Sequence, residues 1–437
     1  MIWNRDIETM SRAALAELQA ERLRSTVDRV YRNVPFYRDR FDRAGVAPGD
    51  VREVEDLSRL PFTRKTDFRD QYPFGLFAVP REDVVRVHAS SGTTGKPTIV
   101  GYTRADLETW AEVCARSLAA AGAVPGDVFQ NAYGYGLFTG GLGMHYGGER
   151  MGLTVIPVSA GNTERQILLL QDLRPRIFAC TPSYALALAE ALAERGIDAT
   201  GLGLATLILG AEPWTEEMRG RIEAAFAAHA VNIYGLSEVI GPGVSCECVE
   251  VKHGSHVFED HFLPEIVDPE TGEPKAPGEI GELVLTSLTK EALPIVRYRT
   301  GDLCSLDLEP CACGRTLARM SRIVGRADDM LIIRGVNLFP TQVEAVLVEF
   351  ADLSPHYRLL VRREGELDAI AIEVEVTAEL HGRAAESGLE PLRRDIGRRL
   401  AGVTMLTNVD IRFVAPGTLP RSEGGKLRRV VDERKPS

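Results

Sequence analysis

Between residues 84 and 213 the chain alternates short β-branched runs with stretches of helical length. Val84, Val85 and Val87 read as a strand, residues 106–121 as a helix and Thr154 to Val158 as an apolar β-branched run. A helix over 163–173, a strand over 177–180, a helix over 184–195 and a strand over 205–209 follow. This order predicts a sheet covered by helices, because strands joined by helical segments bury both faces. Upstream, residues 8–43 read as helical, with Leu15, Leu18, Leu23, Val27 and Val30 near a helical period and a break at Asn33-Val34-Pro35. Residues 254–310 change character and read as a β subdomain with Pro/Gly turns. GRADDMLIIRG (325–335) marks a boundary. Beyond it come a helix (340–350), two strands (357–362 and 369–376), a helix (389–401) and a strand (410–414), a small α+β pattern. The fold expected is α/β. A large N-terminal domain of βαβ layers plus a β subdomain spans 1–327, and a small α+β C-terminal domain spans 328–437.

The first strand runs into HASSGTTGKP (88–97). Glycines let backbone N–H groups converge into an anion-binding nest, and hydroxyls donate to phosphate oxygens. Ser90, Ser91, Gly92, Thr93, Thr94, Gly95 and Lys96 therefore make a candidate phosphate loop; the alternative is an ordinary flexible surface loop. It is not a Walker A loop, since Gly92 and Gly95 are too close together and Lys96 precedes Pro97 rather than Ser or Thr. The net charge of -11 argues against nucleic acid as a partner. MIWNRDIETM has no apolar signal-peptide core, and no apolar run reaches membrane-span length, so a cytoplasmic protein without a membrane partner is expected. Seven clustered cysteines suit a reduced compartment and a metal site better than a disulfide framework.

Five further stretches carry chemistry: GAEPW (210–214), YGLSE (234–238), YRTGD (298–302), GRADD (325–329) and PRSEGGK (420–426). Together with SSGTTGKP, and in this order, they resemble the adenylate-forming superfamily of acyl-CoA synthetases, peptide-synthetase adenylation domains and luciferases. NAYGYGLFTGGLG (131–143), TPSYAL (181–186), EDHF (259–262), LTKEALPIVRYRTGD (288–302) and DDMLIIRGVNLFP (328–340) are similar to the phenylacetate–CoA ligase branch. The resemblance implies ATP-dependent formation of an acyl-adenylate and pyrophosphate, then displacement of AMP by the coenzyme A thiol. The 88–97 loop would hold the β- and γ-phosphates, and Lys426 would bridge the carboxylate and the α-phosphate. Glu238 would hold Mg²⁺, which takes one or two carboxylates plus phosphate oxygens. Tyr234 and Gly235 would lie on adenine, with Asn232 hydrogen-bonding it. Asp302 would accept from the ribose hydroxyls, and Arg326 would meet ribose or phosphate. Gly210, Ala211, Glu212 and Pro213 would flank both nucleotide and acid. Tyr135, Phe138, Gly140 and Gly141 would line the aryl pocket, although aromatics at such positions can equally be core. The C-terminal domain would be mobile about a hinge at Asp328, so that Lys426 serves adenylation alone. A homodimer is also implied.

The same resemblance sets the rival functions. An aryl acid–CoA ligase acting on phenylacetate is the reading; an adenylating enzyme that loads a carrier-protein thiol is the alternative. A nucleotide-binding scaffold without catalysis would have lost Lys426 or Glu238, and both are present.

Cys311-Ala312-Cys313-Gly314 is a metal-knuckle pattern that needs two more ligands for a closed tetrahedral zinc site. Cys246, Cys248, His253, His256 and His261 lie upstream. Matching ECVEVKHGSH to relatives of this kind selects Cys248 and His256, with Cys246 and His253 as rivals. A structural Zn²⁺ is expected, since no HExxH helix is present for a catalytic one.

Overall fold

The computed structural model describes residues 1–89, 97–137, 139–327, 331–333, 336–364, 367–383, 389–404, 406, 409–420 and 429–434. Ser90 to Lys96, Phe138, Asp328 and Lys426 lie outside the described residues.

The N-terminal helical stretch resolves into two main helices, Arg12–Asn33 and Pro35–Ala44. Ser11 caps the first by accepting from the Ala14 N–H, and the helix buries Leu15, Leu23, Val27 and Val30. Val34 ends it because a residue preceding proline is driven out of the helical region; its φ is -118° and its ψ 101°. Pro35 then opens the next helix, at a position where its missing N–H costs nothing.

The first strand of the alternating region stands apart, as Arg86–Ala89 paired antiparallel with Ile99–Tyr102; the rest of the region enters the parallel half of a nine-stranded sheet. Its strands Thr154–Ile156, Val128–Asn131, Ile177–Cys180, Thr206–Leu209 and His229–Leu236 lie side by side, all parallel. His229–Leu236 then pairs antiparallel with Ile240–Cys246, and the sheet continues through Ser255–Val257, Arg319–Met320 and Leu306–Asp307. The expected β subdomain is thus divided. Its ends join the large sheet, and its middle, Phe262–Val267, Gly281–Ser287 and Tyr298–Cys304, makes a separate antiparallel sheet closed by Gly325–Arg326.

Several elements escape the sequence reading, among them the helix Glu216–Phe226 and the strands Ile99–Tyr102 and Ile240–Cys246. Val128–Asn131 is a strand, and the Gly/Tyr-rich stretch turns into a helix, Gly140–Met151. Glycines disfavour helix by about 1 kcal/mol each. Packing overrides that here: a Cβ on Gly143 would lie 2.4 Å from Trp110 Nε1, and one on Gly147 2.4 Å from Cys114 Cβ. Bare glycines let this helix lie flush on the Arg104–Ala120 helix.

The small domain matches its expected outline. Leu353–Glu364 and Leu367–Val376 form a hairpin, flanked by Asp410–Val414 and Val430–Asp432. The helices Pro340–Val348 and Glu390–Thr404 pack against it. A hairpin of Leu331–Ile333 and Val336–Leu338 precedes them. Val348 joins the apolar cluster of Trp214 and Met218, so the small domain rests on the large one just beside GAEPW.

Candidate functional site

Three of the singled-out motifs lie at the C-terminal ends of parallel strands of one sheet, the end at which open α/β sheets bind ligands. GAEPW follows Thr206–Leu209, YGLSE ends His229–Leu236, and NAYGYG leaves Val128–Asn131. A Cβ on Gly210 would sit 2.4 Å from the Ile233 carbonyl, so these two strand ends approach as closely as backbone permits. Ala211 takes a left-handed φ of 73°, which costs a residue with a Cβ about 1–3 kcal/mol. Glu212 then accepts from the Ser183 N–H at 2.7 Å, in the first turn of the Pro182–Glu194 helix. Asn232 is occupied within the protein. Its Oδ1 accepts from Trp214 Nε1 at 2.8 Å, and its Nδ2 lies 3.5 Å from Ser255 Oγ.

Asp302 is the convergence point. The Tyr234 hydroxyl donates to its Oδ2 at 2.6 Å, and Arg326 Nη1 donates to its Oδ1 at 2.7 Å. Strand register explains the second contact, since Asp302 and Arg326 are paired across the small sheet. Burial, reinforced by the Asp302 carboxylate, pushes the Tyr234 phenol well above its ordinary range, so the hydroxyl stays a donor. Residues 68 and 24 positions from Asp302 meet on one carboxylate. A carboxylate has about four lone-pair sites over its two oxygens and so can accept from several donors at once.

Glu238 sits in the turn between His229–Leu236 and Ile240–Cys246 and is 8% exposed. Beside it lies a lysine to which the sequence reading gave no role. Lys290 donates to the Val239 carbonyl at 2.6 Å, and its Nζ stands 4.5 Å from the centre of the Tyr102 ring. Burial lowers its pKa to about 8, against the opposing pull of Asp106 and Glu238. The available signal was a lone lysine inside the apolar run around LTKEALPIV.

Around the candidate aryl pocket, the Tyr135 hydroxyl lies 2.9 Å from Asn131 Nδ2 and 3.2 Å from His145 Nδ1. His145 Nε2 reaches Glu149 at 3.0 Å. Burial raises the Tyr135 pKa to about 12. Gly141 opens no free space, because a Cβ there would lie 2.6 Å from the Gly134 carbonyl oxygen and 2.8 Å from the Tyr135 ring. Gly140 faces the Tyr133 side chain at 3.4 Å. His145 was not anticipated; its spacing of four from Glu149 on one helix is the signal that was there.

The ligand atoms of Cys248, His256, Cys311 and Cys313 all lie within 4.8 Å of one another. The Cys248 and Cys311 sulfurs are 3.9 Å apart, and Cys313 Sγ is 3.5 Å from His256 Nε2. A tetrahedron with zinc bond lengths has S–S and S–N edges of about 3.8 and about 3.5 Å. The four residues therefore fit zinc before any metal is added. Cys246 points elsewhere, donating to the Ser117 carbonyl in the main core, and His261 faces Thr289 and Asp260. Contact with Cys248 and with His256 holds the Cys313 thiol far below its usual range; the Cys311 thiol, beside His256, is also lowered. Arg315, fully buried, donates to Cys313 Sγ at 3.5 Å, to Glu8 at 2.6 Å and to the Met1 carbonyl at 2.8 Å. It was missed because no local pattern links residues 8 and 315.

The large α/β domain with its motif-bearing strand ends, and the small α+β domain resting beside them, have the fold of an adenylate-forming enzyme. Family profiles agree: residues 15–289 match the AMP-binding enzyme family and 335–434 its C-terminal domain. The chain is 57% identical over 449 residues to a phenylacetate-coenzyme A ligase of Thermus thermophilus, covering 100% of both chains. It is 53% identical over 432 residues to one of Escherichia coli K12, covering 98% of this chain and 97% of that one. The chain belongs to the phenylacetate–CoA ligase family. Among solved structures, a 2-hydroxyisobutyryl-CoA ligase in its postadenylation state is 30% identical and superposes with a TM-score of 0.93, covering 99% of this chain and 92% of that one. The same enzyme in its thioesterification state gives 0.74 at the same coverage. The domains of this chain are therefore disposed as in the former state. No helix among the described residues is long and apolar enough to cross a membrane.

Proposed function

We infer that the chain is an AMP-forming acid–thiol ligase. It joins an aryl acid, phenylacetate by family, to ATP as an acyl-adenylate with release of pyrophosphate, and passes the acyl group to coenzyme A with release of AMP. Family membership over the whole chain is the observation that carries this reading.

In this reading Tyr234 presents its ring to adenine, and Asp302, held by Tyr234 and Arg326, accepts from the ribose hydroxyls. The close approach of Gly210 to Ile233 supports a nucleotide lying along these strand ends. A carboxylate oxygen must reach bonding distance of the α-phosphorus and displace pyrophosphate, which needs charge neutralisation and alignment of two anions rather than a protein nucleophile. Ser90 to Lys96 cradle the distal phosphates, and Lys426 stands between carboxylate and α-phosphate. Glu238 holds Mg²⁺, whose contribution when bound is neutralisation of phosphate charge. Tyr135, Phe138 and Gly140 border the acyl group, with Tyr135 held by Asn131 and His145.

The 328–437 domain turns about Asp328 between the two half-reactions, exchanging the Lys426 face for a thiol-facing one. The four-residue cluster binds a structural zinc through Cys248, His256, Cys311 and Cys313. Its edge lengths support this, and four protein ligands close a tetrahedron with no position left for a substrate, the mark of a structural rather than a catalytic site. A homodimer in the cytoplasm completes the proposal.

The test is AMP formation from Mg-ATP and a panel of aryl acids, with and without free coenzyme A. The ligase reading expects rapid AMP release and an acyl-CoA product only with coenzyme A and phenylacetate. Adenylation that coenzyme A leaves unaccelerated would reject it in favour of a carrier-protein acceptor.

A further inference from the structure

Lys290 belongs to the same sequence motif as Asp302, yet the activity proposed above does not use it. Its side chain is 4% exposed. A buried ammonium is costly unless paired. Among the described residues its ammonium donates one hydrogen bond, to the backbone carbonyl of Val239, the residue immediately after Glu238. The turn that carries Glu238 is closed from the other side by the Val239 N–H, which donates to the Leu236 carbonyl at 3.1 Å.

Two acids, Asp106 and Glu238, act on the ammonium through their charge. Asp106 is engaged elsewhere: it accepts from the backbone N–H groups of Thr103 at 2.9 Å, Glu291 at 2.6 Å and Ala292 at 2.9 Å. Those bonds fasten the lysine's own segment to the start of the Arg104–Ala120 helix. Glu291 adds a bond from the Thr103 hydroxyl at 2.9 Å. Below, the Tyr102 ring supports the ammonium, and a cation over an aromatic face is stabilised without any carboxylate. The ammonium is thus held by the Val239 carbonyl and the Tyr102 ring, and its segment by Asp106. No side-chain hydrogen bond among the described residues holds Glu238 itself, so its position depends on the turn.

We propose that Lys290 is a positioning residue for Glu238: its ammonium clamps the 236–239 turn through the Val239 carbonyl and so fixes the place from which Glu238 meets the divalent cation. The proposal rests on the reading of Glu238 as the Mg²⁺-holding residue. Lys290 touches neither substrate nor metal; it acts through the turn.

The experiment measures AMP formation against free Mg²⁺ at saturating ATP and acid, and separately the thioester step from supplied phenylacetyl-adenylate, which needs no phosphate-bound metal. Lys290→Met should raise the half-saturating Mg²⁺ by about fivefold or more, the range of coupling between neighbouring groups, and leave the thioester step within about twofold. Lys290→Gln keeps a donor for the Val239 carbonyl without the charge; its Mg²⁺ shift should be smaller, and it carries the test if the Met variant does not fold. Glu238→Gln should raise the Mg²⁺ requirement, and the double variant should be little worse than Glu238→Gln alone. Equal loss of both half-reactions in the lysine variants would reduce Lys290 to a packing role and overturn the proposal. So would a double-variant loss equal to the product of the two single losses. A normal Mg²⁺ requirement in Glu238→Gln would overturn the reading of Glu238 itself, and the proposal with it, whereas a shift in that variant with none in Lys290→Met removes the proposal alone.

Discussion

Replacing Arg315 by methionine should destabilise the large domain severely, although the residue lies outside the adenylation chemistry. Arg315 and Glu8 are both fully buried and pair at 2.6 Å. Removing the cation strands a carboxylate in a low-dielectric interior, which costs about 3–5 kcal/mol. Glu8 keeps one donor, the Asn4 N–H at 2.8 Å, so the lower half of that range is the better figure. The Met1 carbonyl and Cys313 Sγ lose their donors as well, and these losses are not additive with the first. At roughly 2 °C per kcal/mol for a domain this large, the thermal midpoint should fall by about 6–8 °C. Trp3 reports on the same arm, since its indole donates to Glu112 at 3.2 Å. Its fluorescence change should therefore precede or accompany the global transition in the variant. Adding Glu8→Gln to Arg315→Met should recover part of the loss, because the second change removes the stranded charge. A double variant as unstable as the sum of the two singles would refute the reasoning, as would a single variant that melts with the wild type.

Three other outcomes follow from the structure and motifs. Lys426→Ala should cripple adenylation and spare thioester formation from supplied acyl-adenylate; equal loss of both steps in a half-reaction assay would reject alternation of the small domain. Cys311→Ser should abolish zinc binding and lower stability while leaving the chemistry of the folded fraction unchanged, and an intact zinc stoichiometry by elemental analysis would reject the ligand set. His261 gives a pH dependence. Burial lowers its pKa to about 4, although Asp260 opposes the shift. Between an unfolded value near 6.5 and that native value the unfolded chain binds the extra proton, so stability falls as pH drops through this window, by about 3 kcal/mol in total. Denaturant midpoints of His261→Gln should lose that part of the slope, and an unchanged profile would show that the imidazole protonates freely in the native state.

Much of the candidate site was legible in sequence because each part is a local motif with its own chemistry. The order SSGTTGKP, GAEPW, YGLSE, YRTGD, GRADD and PRSEGGK needs no tertiary information to be recognised. The alternation of β-branched runs with helical stretches likewise marked the parallel sheet. The 163–173 helix and the 177–180 strand appear with the boundaries read from sequence. Pro35 and its neighbour Val34 announced the break between the first two main helices for a steric reason confined to two residues.

Other features depend on what distant segments bring to a residue, and no local pattern encodes that. The Gly140–Met151 helix contradicts its own propensity and exists because Trp110 and Cys114 fill the space its glycines leave. The choice of Cys248 over Cys246 comes from where a strand stops. Cys246 is the last residue of Ile240–Cys246 and turns into the core, while Cys248 lies beyond the strand end, opposite the knuckle. His256 is brought there by pairing with Arg319 across the sheet. Arg315 with Glu8, and Lys290 with the Glu238 turn, are separated by hundreds or tens of residues in the chain. The sequence by itself determined which chemical groups are available and which local conformations they favour. Only the tertiary structure decided which charges are buried together, because the cost of burying a charge, and the partner that offsets it, exist only once the chain has closed around both.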